Sequence, residues 1–117
     1  MKPDAYMRFY WNEFWSAVEG QSDQTIIAYL RAISHYYHHN HCVGLKDDSE
    51  FLRKLCRVDK AEWGEVCAII FDNDRFFTQD ANGLWQQKRA QEEWLKSVEH
   101  YDKAIKRAKL GAKARWK

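Results

Sequence analysis

At 117 residues the chain has the size of one domain. That excludes a two-lobed α/β enzyme, and also a (β/α)8 barrel, which needs about 250 residues. A 45% hydrophobic share excludes wholesale disorder, and one Pro with five Gly argues against an all-β fold punctuated by turns. The net charge of +2 conceals an asymmetry. Residues 1–74 hold eight Lys/Arg against twelve Asp/Glu, whereas residues 75–117 hold eleven against five. From Lys103 onward there are seven cations and no acid, which reads as a basic arm able to meet a polyanion.

The opening stretch Tyr6 to Trp11 is aromatic and reads as extended. Asn12 to Val18 can form a short helix that stops near Gly20. Ser22 and Asp23 then supply an N-cap and an acidic first turn. Ile26, Leu30, Ile33 and Tyr37 recur at spacings of 4, 3 and 4, which predicts a helix over about 23–39. Ile27, Tyr29 and Tyr36 widen its apolar stripe.

The run Asn40 to Gly44 breaks this helix, and Asp47-Asp48-Ser49 can cap the next. Phe51, Leu52, Leu55 and Cys56 supply its apolar face, closed by Val58. Asp59 and Glu62 have the spacing of a capping box for a third helix. Trp63, Val66, Cys67 and Ile70 follow at i, i+3, i+4, i+7. So short a connection demands a sharp helix-turn-helix.

Phe76-Phe77-Thr78 and Leu84 to Lys88 read as two strands joined by the turn Asp80-Ala81-Asn82-Gly83, where Asn-Gly accepts positive φ. From Arg89 the pattern is helical again, with Trp94, Val98, Tyr101 and Ile105 on one face. Apolar bulk runs out after Leu110, so the tail from Gly111 is expected to fray or await a partner.

A mainly α chain with a small β-hairpin and a long basic C-terminal helix has the element order of a winged helix-turn-helix. In that architecture the helix before the hairpin enters the DNA major groove and the hairpin is the wing. The expected division is 1–102 for the winged-helix-like body and 103–117 for the basic helix end and tail.

Four stretches carry a family likeness. The aromatic opening Tyr6 to Trp15 is the first. Ile27-Ala28-Tyr29-Leu30-Arg31-Ala32-Ile33 running into Tyr36-Tyr37 is the second. Leu45-Lys46-Asp47-Asp48 leading Phe51-Leu52-Arg53-Lys54-Leu55 is the third. Last come Phe76-Phe77, Gly83-Leu84-Trp85, Lys88-Arg89 and Ala114-Arg115-Trp116. Together they resemble the YdaU family, a domain found in prophage replication regions, over nearly the whole chain. Lys46 stands where that family usually has Pro, and Ile27 where it has Gly. The likeness implies a phage or prophage origin and a role in DNA replication initiation.

If DNA is the ligand, Arg75, Lys88 and Arg89 flank the wing. Lys103, Lys106, Arg107, Lys109, Lys113, Arg115 and Lys117 form the arm. These cations neutralise phosphates without reading sequence. On the helix before the hairpin, the solvent side is predicted to carry Lys60, Ala61, Gly64, Glu65, Ala68 and Asp72, of which Lys60 alone suits base reading. Arg53, Lys54 and Arg57 on the preceding helix are better supplied with charge. Trp116 in the tail could stack on bases. Two other readings stay open, a protein-interaction adaptor that recruits replication proteins and a transcription regulator.

No uninterrupted apolar run approaches the roughly 18–20 residues of a membrane span, and Met1 to Arg8 lacks the apolar core of a signal peptide. Three cysteines read as reduced thiols, and the expected location is cytoplasmic. His35, His38, His39, His41 and Cys42 cluster, but they lack paired zinc spacing and read as a polar helix end. Asp72 and Asp74 read as a turn rather than a Mg²⁺ site. With no phosphate loop or nucleophile elbow, neither enzyme activity nor a cofactor is expected.

Overall fold

The computed structural model describes residues 10–72 and 76–115, with side chains as far as residue 111. It is mainly helical, with α1 (Trp11–Ala17), α2 (Asp23–His38), α3 (Ser49–Cys56) and α4 (Lys60–Ile70). A two-stranded antiparallel sheet of β1 (Thr78–Gln79) and β2 (Trp85–Gln86) follows, and then α5 (Lys88–Arg115). Among the described residues no helix is long and apolar enough to cross a membrane.

The central element is α2, against which α3, α4 and α5 all pack. Its start is fixed as the sequence predicts, since the Ser22 hydroxyl accepts from the Thr25 amide at 3.2 Å. Its buried face keeps most of the expected stripe but is centred on the tyrosine side, and Ile27 falls outside it. Ala28, Tyr29, Ala32, Ile33, Tyr36 and Tyr37 are buried, while Ile26 and Leu30 are half-buried and Ile27 is exposed. Alanines at 28 and 32 admit close approach of the neighbouring elements, and the tyrosines fill the space between them. The Phe14 ring of α1 stacks on Tyr29 at 6.3 Å, so α1 joins the same core. Trp11 starts that helix rather than ending an extended run; Tyr10 before it is extended, and Tyr6 to Phe9 lie outside the described residues.

Asp48 caps α3 by accepting from the Phe51 amide at 3.1 Å. The helix ends in a Schellman turn, with Arg57 N–H bonded to Lys54 and Val58 N–H to Arg53. Arg57 takes the left-handed backbone (φ 56°) that glycine usually supplies there. The helix-turn-helix therefore has a two-residue joint before Asp59. The predicted capping box does not form. Asp59 gives no side-chain cap, and the Glu62 carboxylate accepts from Gln24 Nε2 instead, tying the start of α4 to α2.

The strands are shorter than predicted. Phe76 and Phe77 precede β1 and are buried in the core instead of pairing. Thr78 pairs with Gln86 and Gln79 with Trp85. Between them Gly83 alone takes positive φ (80°); Asn82 does not. The Asp80 carboxylate closes the loop by accepting from the Asn82 and Leu84 amides, each at 2.9 Å. The Gln86 side-chain amide, with those two backbone bonds, holds its carboxyl below the usual range.

A pairing between α2 and α3 was not expected. Leu45 bridges Trp85 on the free side of β2, through hydrogen bonds of 2.9 and 2.8 Å. Gly44 (φ 133°) makes this approach possible, because a Cβ there would lie 2.6 Å from Gln86 Nε2 and 2.7 Å from Leu84 Cβ.

α5 docks through its first turns. Ala90 and Glu93 are buried, and Trp94 packs edge-on against Tyr37 at 5.2 Å and stacks on His41 at 4.8 Å. Val98 and Tyr101 are half-buried, and every described side chain from Asp102 to Gly111 is exposed. The predicted face thus packs only at its start. The helix then runs past the body, helping to give extents of 67 × 30 × 24 Å.

Candidate nucleic-acid interface

The expected cations fall into three classes. Some are used by the fold. Arg53 makes a two-pronged contact to Glu50 at 3.2 and 3.0 Å and donates to the Val58 carbonyl at 3.0 Å. That arrangement satisfies a carbonyl beyond the end of α3 and leaves little of Arg53 for a ligand. Arg89 pairs with Glu13 at 2.9 Å and lies 4.3 Å from the centre of the Tyr10 ring, fastening α1 to α5.

Others stand on exposed helix surface. Lys54, Arg57 and Lys60 surround the α3–α4 joint, and Lys88 opens α5. Lys103, Lys106, Arg107 and Lys109 lie on the projecting part of α5. Lys103 pairs with Glu99 at 3.2 Å, and the other three have no ion pair among the described residues. Spacings of three and four put Lys103, Lys106 and Arg107 on one helix face, where like charges repel and a polyanion relieves the repulsion. The third class is undescribed. Arg75, Asp74, Trp116 and Lys117 lie outside the described residues, as do the side chains of Lys113 and Arg115.

The helix before the hairpin presents the face its periodicity predicts. Lys60, Ala61, Gly64, Glu65, Ala68 and Asp72 are all exposed, joined by Glu62. One cation among three carboxylates opposes insertion between phosphates. The hairpin is equally unsuited to phosphate. From Thr78 to Gln87 it carries Asp80 and no cation. Its base is tied down by Asp47, which accepts from Gln79 at 3.1 Å and from Trp85 Nε1 at 3.1 Å.

The histidines do not assemble a metal cage. Among the described residues no group of three or more His, Cys, Asp or Glu side chains could hold an ion. His35 and His39 lie with ring centres 5.3 Å apart, and burial together with His39 lowers the His35 pKa. Cys42 is buried and donates weakly to the Ala90 carbonyl at 3.6 Å. The sequence reading missed Arg31, whose guanidinium donates to the Cys56 carbonyl at 3.2 Å beside an open groove between α2 and α3. No local pattern marked it, because the spacing placed its neighbour Ile27 in the apolar stripe whereas Ile27 is exposed. Comparison with protein-family models, curated proteins and solved structures found no match to this chain.

Proposed function

We propose that this chain is a DNA-binding domain that contacts phosphates through the projecting part of α5. The observation that carries the reading is the exposed run Lys103, Lys106, Arg107 and Lys109, of which Lys103 alone has an ion-pair partner among the described residues. Lys88 at the base of the hairpin adds a cation. A winged-helix body fits the order α2, Leu45 bridge, α3, α4, hairpin, because a one-residue pairing before the helix-turn-helix stands where that architecture has its first strand. The setting proposed is phage or prophage replication initiation, on the family likeness given above. The acidic outward face of α4 speaks against a transcription regulator that reads bases through this helix.

The test is fluorescence anisotropy with labelled duplex and single-stranded DNA over a salt series. The expected result is binding that weakens steeply with salt. Changing Arg107, Lys109 and Lys113 to Glu should abolish measurable binding at moderate salt. Neutral replacement of the same three should lower the log–log salt slope by about 1 per cation. Affinity unchanged by the charge reversal would overturn the reading. A protein adaptor is the second reading, and the exposed small residues Ala61, Gly64 and Ala68 of α4, flanked by carboxylates, favour it.

A further inference from the structure

We propose that copies of this chain associate head to tail, with the exposed flank of α1 from one copy seated in the groove between α2 and α3 of the next. The inference rests on residues outside α5, so it and the DNA reading can fail separately.

The donor patch is aromatic and acidic. Trp11 is 60% exposed and Trp15, one turn on, is 56% exposed. Glu19 follows a turn later, also exposed and with no ion pair among the described residues. Residues 11–20 contain no cation; of their two carboxylates Glu13 is taken up by Arg89, so Glu19 carries the charge of the patch. Tryptophan at a fixed, solvent-facing position is the residue type most enriched among side chains that anchor interfaces.

The receiving groove is complementary in both respects. It has a volume of about 410 Å³, and Ile27, Leu30 and Leu55 are its apolar lining, with Ile27 46% exposed. Arg31, Arg57, His35 and His39 also line it and no carboxylate does; one Arg31 N–H is already donated to the Cys56 carbonyl. Arg57 is in left-handed backbone at a position where glycine is the unstrained choice. The lining residues run from Ile27 on α2 to its cap residue His39, about 18 Å along the helix axis, which is room for the two turns of α1. Arginine guanidinium over an indole ring, beside a carboxylate, is a favourable set of contacts.

One copy cannot close this contact on itself. α1 packs on Tyr29, which lies about 200° around α2 from Ile27 at 100° per residue. Donor and receiver therefore sit on opposite sides of α2. A contact between unlike patches makes rings or open chains rather than a closed two-fold dimer.

Sedimentation velocity on the full chain across a wide concentration range tests this. The weight-average mass should rise above that of one chain, and less so in high salt. Trp15→Asp and Ile27→Asp should each weaken association about tenfold or more. Mixed in equal amounts, the two variants should recover a two-chain species, because the intact groove of one takes the intact α1 of the other. Arg57→Gly separates folding from association: it should melt no lower than the parent chain and still associate less. A parent chain that stays monomeric throughout overturns the proposal. So does association that survives both aspartate variants, or a mixture that associates no better than its parts.

Discussion

Cys42 and Cys56 are packed among apolar side chains, where a thiolate would lose its water without gaining a full charge partner. Burial pushes both thiols up to about 12. Near pH 8 that leaves roughly one molecule in ten thousand as the reactive thiolate at either site. Cys67 is half-buried, and burial with the nearby Asp47 charge raises its pKa as well. Alkylation of the folded chain near pH 8, followed by peptide mass spectrometry, should therefore leave Cys42 and Cys56 unmodified and label Cys67 slowly. In denaturant all three should react at the rate of free cysteine. Fast labelling of Cys56 in the folded chain would mean that the α2–α3–α4 core opens far more often than its packing implies.

Among the elements, the Leu45 bridge depends most on a single position. Gly44 approaches the hairpin so closely that any Cβ meets Gln86 and Leu84, and its φ of 133° disfavours side chains independently of space. Gly44→Ala is expected to cost about 2–3 kcal/mol, combining overpacking with backbone strain. Urea denaturation should show a lower midpoint with an unchanged slope. Protection of the Leu45 and Trp85 amides from hydrogen exchange should fall with it. This bridge also shows what a sequence can and cannot convey. The bounds of α2, the Asp48 cap and the Gly83 turn are written in residues within a few positions of one another, and all were legible. Leu45 and Trp85 are forty residues apart, and no local pattern announces their pairing. The same holds for Glu62, whose local capping partner lost to Gln24 on another helix. At the candidate interface, periodicity gave the outward face of α4 correctly. Charge type alone could not tell that Arg89 is occupied by Glu13, seventy-six positions earlier, and so serves the fold.

For the whole molecule, the boundary near Asp102 separates two physical roles. On α5 the last half-buried side chain is Tyr101, and beyond it every described side chain is exposed, with Ile105 at the margin. A helix segment that buries so little contributes little to global stability, whatever its charge. A chain ending after Asp102 is therefore expected to fold, with stability within about 1 kcal/mol of the full chain in urea denaturation. It should keep the Leu45–Trp85 hydrogen bonds, read by hydrogen exchange. Its affinity for DNA at low salt should nevertheless collapse, because the exposed cations Lys106, Arg107 and Lys109 leave with the arm. The two measurements are made on one variant and point in opposite directions, so loss of folding cannot pass for loss of a binding surface. If the shortened body binds DNA as well as the full chain does, the contact lies at the α3–α4 joint with Lys54, Arg57 and Lys60. If it unfolds, the half-buried Val98 and Tyr101 need the helix beyond them, and the arm is part of the fold rather than an appendage to it.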